Sequence, residues 1–499
     1  MIGLGDLRQP GTGLFKHREW RGINDTLYDY WRWLINWKDL NVFIAKAPVK
    51  TIKSIFRYRW MTSYLATHAF IDRSTSGLRG TSLRVAHLHY NMIVKHLTYL
   101  LHVSFTEDSK VVLLDELIPP QIIGGFPNLI PVPAQAAPIF VASMVDQQLP
   151  PHYIDVIEYY GVPSDVCPLP ACEAGIAIED DYPKIGKCMI TTNMPCDGSI
   201  MTSAYQDRRF QLPTFPLNIP LRYDEDWTED FTIKELEDCI AFIEEHTGEK
   251  FDLDAFKETC ESYNQQTKYE LEKWEINKTK YPQVTGANIW LYRLYYFQGA
   301  AGTDKRFIEV DKKVSKLIAR AYQNKEKNTK DLRYRAVIWS CPANYYTDFP
   351  LWLENCWGIS GLIDMETASS TEIIDTSSKK SMLAGLAKTY QRATMRKHTN
   401  GGYKHALDEL WEKVEEFNVD LVVMYDQISC KAMDGLHAIF EEQAKDRDIK
   451  MIWVEQDLMD YRTTSRQAMR DQVNKYMFTV MQATPLDESL LEFDDSNSW

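Results

Sequence analysis

From Lys110 onward the chain alternates short apolar runs with helical stretches, and this alternation limits the fold more than any other feature. The runs "KVVLLDEL" (110–117), "NLIPVPA" (128–134), "KCMITTNMPC" (187–196) and "FPLNIPLRY" (215–223) are separated by stretches of helical character near 137–160 and from 199. The same texture returns at "YRAVIWSC" (334–341), "GISGLIDM" (358–365), "DLVVMYDQISC" (420–430) and "IKMIWVEQDL" (449–458), with a closing helix at 464–482. Strand–helix–strand alternation at this spacing predicts open parallel sheets. We expect an α/β protein with two doubly wound, flavodoxin-like domains. Residues 15–105 and 231–330 instead carry apolar residues near the 3.6 period without strand-like interruption. The expected organisation is a helical N-terminal region (1–105), a first α/β domain (106–230), a helical region (231–330) and a second α/β domain (331–499).

A chain of 499 residues exceeds one ordinary core, and 44% hydrophobic with 25% charged residues describes a globular protein. The net charge of −14 argues against a nucleic-acid groove or an anionic membrane surface as the main partner. The most apolar runs, such as "APIFVASM" (137–144), are too short to span a bilayer. The start "MIGLGDLRQPGTG" lacks the basic and apolar segments of a signal peptide, so a cytoplasmic protein is expected.

Nine cysteines without a CxxC pair exclude zinc ribbons, fingers and ferredoxin-type runs. Cys167 and Cys172 are the closest pair. Any metal site must therefore use cysteines distant in sequence. In open α/β sheets ligands bind beyond the carboxyl ends of strands, and Cys196, Cys341 and Cys430 fall at such predicted ends. A helix start there lowers a thiol's pKa. Cys167, within "VPSDVCPLPACEAG" (162–175), is read as lying in a loop with Cys172. Thiolates from two domains facing one cleft suit an iron–sulfur cluster; for any one cysteine, buried packing is the ordinary alternative. Cys188 falls inside a strand, Cys239 and Cys260 read as packing, and Cys341 and Cys356 as possible site neighbours. "GLGDLRQPGTG" has no preceding strand and no G-x-x-x-x-G-K-[ST] loop exists, so the chain itself should not hydrolyse ATP. "EDDYP" (179–183) and "DRR" (207–209) read first as surface and helix-end charge, and second as a cation or CoA-phosphate site.

The stretches "VPSDVCPLPACEAGIAIEDDYP", "NMPCDGSIM" and "VDLVVMYDQISC…IKMIWVEQDLMDYRTTSRQAMRDQV" resemble the 2-hydroxyacyl-CoA dehydratase and benzoyl-CoA reductase family, most closely its larger, alpha-type dehydratase subunits. The resemblance runs from about residue 105 to 485, and the Cys-Asp-Gly step at 196–198 is its most specific element. It implies a [4Fe–4S] cluster held by Cys167, Cys196 and Cys430, with Cys172 the rival to Cys167. Some members also carry flavin (FMN). "LIPPQIIGG" (117–125) is similar to a segment near the family's active site, where relatives often have glutamate and this chain has Gln121, so no catalytic acid is assigned. The implied reaction removes water from an (R)-2-hydroxyacyl-CoA such as 2-hydroxyglutaryl-CoA, giving glutaconyl-CoA, through a ketyl radical. One electron from an ATP-dependent iron–sulfur activator starts it. The implied partners are that activator, a smaller homologous subunit forming a heterodimer, and the acyl-CoA, in anaerobic amino acid fermentation. The same resemblance leaves two other readings, an ATP-dependent aromatic acyl-CoA reductase subunit and a non-catalytic electron-relay subunit.

Overall fold

A computed structural model describes residues 22–492 apart from 76–77, 116–117, 119, 194–195, 221–224, 297–301, 328–331, 368–371 and 393–401. Two helices open it, α1 (Ile23–Lys46) and α2 (Pro48–Arg57). The helix Gly80–Thr106 follows and is buried on nearly every side. It packs against α1 and against the helices Ala287–Tyr296 and Lys305–Gln323 from the middle of the chain. A helix apolar all round must be enclosed in this way.

The first sheet comprises β1 (Val111–Leu114), β2 (Ile130–Pro133), β3 (Cys188–Thr192) and β4 (Thr214–Leu217). The second comprises β5 (Tyr334–Trp339), β6 (Ile359–Asp364), β7 (Leu421–Gln427) and β8 (Lys450–Gln456). Both are wholly parallel, in the orders β2-β1-β3-β4 and β6-β5-β7-β8. The two orders are the same permutation, so each sheet reverses direction between its first and third strands. Both central strand pairs are buried on both faces, as parallel sheets covered by helices require. The expected α/β class, with two parallel sheets and additional helices, is the observed one.

The helical stretch expected near 137–160 is two pieces. A turn of π-helix (Ala136–Val141) runs into Ala142–Val145, and a separate helix spans Leu149–Tyr159. The break lies at 146–148, where Asp146 Oδ1 accepts from the Gln148 amide and Pro150 and Pro151 start a new helix. Proline has no N–H and is tolerated only in a first turn.

The N-terminal helices are fastened to the first α/β unit by the acidic "EDDYP" segment. Asp181 accepts from the Arg59 amide at 2.9 Å and from the Tyr153 hydroxyl, and its carbonyl accepts from Trp60 Nε1 at 2.7 Å. Asp180 pairs with Arg57 at 2.7 Å and with Arg209. The acids thus form a clasp, and Arg209 is occupied there and at the Tyr182 carbonyl (2.8 Å). Neither the cation site nor a CoA-phosphate contact at Arg209 is supported.

Candidate functional site

Among the nine cysteines, Cys167, Cys196 and Cys430 are partly exposed and the other six are buried. Each of the three is the residue immediately before a helix: Cys167 before Pro168–Ile178, Cys196 before Asp197–Phe210, and Cys430 before the single turn Lys431–Asp434. Cys196 follows β3 and Cys430 follows β7, which are the strands at the two reversal points of the sheets. A switch point opens a crevice beyond the strand ends because neighbouring connections leave in opposite directions. Sequence and topology therefore put both thiols where an open sheet holds its ligand.

Local contacts bring the three helix starts together. The Pro168–Ile178 and Asp197–Phe210 helices pack on each other. A Cβ on Gly198 would stand 2.8 Å from Pro170 Cγ and 3.6 Å from Cys196 Sγ. The glycine of the Cys-Asp-Gly step is thus a close-approach residue, letting the Cys196 corner seat on the first turn of the Cys167 helix. On the other side Lys431, next to Cys430, reaches Asp165, two residues before Cys167, at 2.5 Å. The 457–466 segment after β8 adds further ties between the two α/β units. Arg462 pairs with Asp155 at 2.9 Å and the Tyr461 hydroxyl donates to Gln148 Oε1 at 2.9 Å.

The rival Cys172 is not in a loop. It lies inside the Pro168–Ile178 helix, buried, with Sγ 3.7 Å from the Pro150 carbonyl. Pro168 is the reason, since proline right after Cys167 starts a helix and "ACEAGIAI" continues it. Burial, with Asp457 and Glu173 nearby, pushes the Cys172 thiol well above its usual range. Burial likewise pushes Cys188, Cys260 and Cys356 up to about 12. A thiol held protonated in this way is a poor metal ligand, because the thiolate is the binding species. Burial also raises Cys430, with Asp434 adding to it, and the backbone N–H groups of Met433 and Ala432 offset the rise only in part. Cys356 sits just before β6, at the amino end of the second sheet, and is not a neighbour of the site. Cys341 lies two residues beyond β5 and is buried.

The strand ends around these thiols are polar in ways the sequence did not announce. Buried Asp115, after β1, accepts from Gln135 Nε2 and from Ser203 Oγ, both at 2.6 Å, joining the ends of β1 and β2 to the helix that begins after Cys196. The Gln121 amide is wholly buried and neither of its polar atoms has a partner among the described residues. In the second unit Gln456 Nε2 donates to the Cys341 carbonyl at 2.7 Å. Ser340, held at φ 70°, has a buried hydroxyl without a partner among the described residues. Orphaned buried polar groups and a left-handed non-glycine residue each cost free energy and gather at sites that receive a ligand. The alternation at strand ends was the only signal that could have found them.

A cavity of about 950 Å³ lies elsewhere, at the amino end of the second sheet. Two of its cations are committed. Arg335 donates to the carbonyls of Asn277, Thr279 and Phe417, and Lys278 pairs with Glu275 and Glu416. The cavity is a seam between elements.

Among the described residues no three His, Cys, Asp or Glu side chains converge as ligands for a single metal ion. A four-iron cube makes a different demand, since each thiolate binds its own iron and the sulfurs stand apart. Three partly exposed cysteines at helix starts, drawn from both α/β units, are a donor set whose chemistry fits such a cube. None of the described helices is long and apolar enough to cross a membrane.

Two parallel α/β units, each with a partly exposed cysteine following the strand at the switch point of its sheet, define a doubly wound class of protein. The chain belongs to the family described as 2-hydroxyglutaryl-CoA dehydratase, D-component, whose model matches residues 128–477. It is thus a component of a dehydratase system. No curated protein matches the chain.

Proposed function

We propose that the chain is the cluster-holding, alpha-type subunit of a 2-hydroxyacyl-CoA dehydratase, with Cys167, Cys196 and Cys430 as the three ligands of a [4Fe–4S] cluster. The observation that carries the reading is the selective exposure of these three cysteines, each opening a helix, in a chain whose six other cysteines are buried. When bound, the cluster supplies one-electron chemistry at an iron left open by the protein.

The chain's own residues do the rest. The helix starts at Cys167 and Cys196 favour thiolates over thiols. The close seat of Gly198 on Pro170 fixes the Cys196 corner against the Cys167 helix. An amide has no titratable proton at neutral pH, so Gln121 does not act as acid or base. The dehydration itself needs help because the C3 hydrogen of a 2-hydroxyacyl thioester is not acidic. One electron at the thioester carbonyl would expel the 2-hydroxyl as hydroxide and make the C3 hydrogen acidic; loss of that proton and return of the electron would leave the enoyl thioester and water. An ATP-dependent activator delivers that electron, and a smaller homologous subunit completes a heterodimer in the cytoplasm.

The test is anaerobic purification with the second subunit, followed by iron and sulfide analysis and product analysis with 2-hydroxyglutaryl-CoA, activator, ATP and reductant. Glutaconyl-CoA formed over many turnovers after brief activation is the expected result. ATP and reductant consumed in fixed ratio to product would overturn the dehydratase reading in favour of a reductase.

A further inference from the structure

Helix α1 is amphipathic the wrong way round. Its buried residues Asp29, Asn36 and Phe43 recur every seven positions, and two of them are polar. Asp29 meets His87 Nε2 at 2.7 Å, Asp25 pairs with Arg84 at 2.7 Å, and Asn36 accepts from Asn91 Nδ2. Turning α1 about its axis would strand these groups unpaired and buried, so its outward face is set by the inward one.

That outward face is apolar. Ile23, Leu27, Tyr30, Trp31, Leu34 and Trp37 are each 45–70% exposed. They follow the three- and four-residue spacing of a single stripe. Helix α2 extends the patch with Val49, Ile52 and Phe56, the last 87% exposed. Single proteins rarely show apolar patches above a few hundred Å². Nine such side chains amount to on the order of 1,000 Å², which is what one partner brings to a stable interface.

Charge selects the occupant. Lys46 and Lys53 are exposed around the patch and α2 contains no acidic residue, while Lys38 pairs with Asp39 at 3.6 Å and Lys50 donates to the Phe105 carbonyl at 2.6 Å. A second copy of the chain, meeting the same face in a two-fold contact, would offer the same positive rim and no carboxylate rim to match it. An anionic bilayer attracts the lysines but repels a chain of net charge −14. A protein that offers an apolar helical face rimmed by carboxylates meets neither objection. We infer that the α1–α2 face docks such a partner, another component of the dehydratase system; this rests on the proposed multi-subunit reading.

The experiment uses the full chain co-expressed with the second dehydratase subunit, with affinity measured by sedimentation. Leu34→Asp combined with Trp37→Asp changes the stripe, Lys46→Glu combined with Lys53→Glu changes the rim, and Leu253→Asp is an exposed apolar control elsewhere. The stripe variant is expected to weaken pairing at least tenfold, and the rim variant to weaken it with reduced salt dependence. The control and wild type stay paired, and all variants keep the wild-type unfolding transition and iron content. Unchanged pairing of the stripe variant overturns the inference. So does failure of the wild type to pair. Self-association of the chain alone, or binding to phosphatidylglycerol vesicles, lost in the stripe variant, assigns the face to the other occupants and also overturns it. A pair that forms through α1 yet makes no enoyl-CoA confirms the surface and removes only the dehydratase reading.

Discussion

The first sheet is built from strands of four or five residues and admits Pro131, Pro133 and Pro216; the second is built from strands of six or seven and admits none. The prolines all lie on β2 and β4, the edge strands of their sheet, where a missing N–H costs no central ladder bond. Same strand order, then, but different construction. The second unit has longer ladders and buries Trp339, Trp352 and Trp357 completely, whereas β4 exposes Pro216 and only half-buries Phe215. Yet the shorter, looser unit carries two of the three site cysteines and the Cys-Asp-Gly corner. The long-stranded unit reads as the anvil that holds Cys430 steady, and the short-stranded one as the part whose geometry is tuned by close contacts such as Gly198 on Pro170.

The sharpest way to break this comparison is to remove one thiol from each unit. Cys196→Ser and Cys430→Ser should each lower cluster iron and cut dehydratase activity on the order of a hundredfold or more, since even outer-sphere changes at metal sites cost up to that amount. Cys356→Ser should leave both unchanged. Full iron and an intact EPR spectrum in the Cys430 variant would mean that the second unit contributes no ligand.

Next in size is the packing difference. Trp339→Ala, in the centre of β5's carboxyl end, should cost about 3–5 kcal/mol in denaturant unfolding, the usual range for truncating a fully buried aromatic. Phe215→Ala on β4 should cost about 1–2 kcal/mol, because much of that ring is already hydrated. Equal losses would erase the distinction between the sheets.

A third contrast is a pH dependence carried by a buried carboxyl of the second unit. Glu354 is buried, accepts from Ser360 Oγ at 2.7 Å, and is pushed by burial up to about 7. A carboxyl that binds its proton more tightly when folded gives stability that is present below about pH 4.5 and lost as pH rises through 7. The difference is about 3 kcal/mol between those limits. Glu354→Gln should flatten that part of the stability curve, measured by urea unfolding from pH 4.5 to 8. An unchanged slope would show that the carboxyl is not buried as a charge.

Much of this was legible because period and strand ends are local properties. Apolar runs such as "AVIW" and "LVVM" leave few options other than buried parallel strands, and Cys196 and Cys430 could be placed at strand ends by counting. Cys172 could not be separated from Cys167 until the helix beginning at Pro168 showed one cysteine at the start of a turn and the other inside it. Nor did the chain announce the Lys431–Asp165 contact, because 266 positions separate its partners. Arg209 and the "EDDYP" acids offered only charge, and charge alone does not say which side chain it meets.

The sequence by itself determined the class of fold, the residue types available for chemistry and the exclusion of a phosphate-binding loop, since each depends on neighbours within about one turn or one strand. Tertiary structure alone decided which thiols are buried and which stay partly exposed, which acids are tied up in the N-terminal clasp, and which face of α1 looks outward. That last choice shows the reason. Hydrophobicity would have turned Ile23, Leu27 and Leu34 inward, but Asp25, Asp29 and Asn36 found partners at Arg84, His87 and Asn91, and leaving a buried polar group unpaired costs more than leaving an aliphatic side chain wet.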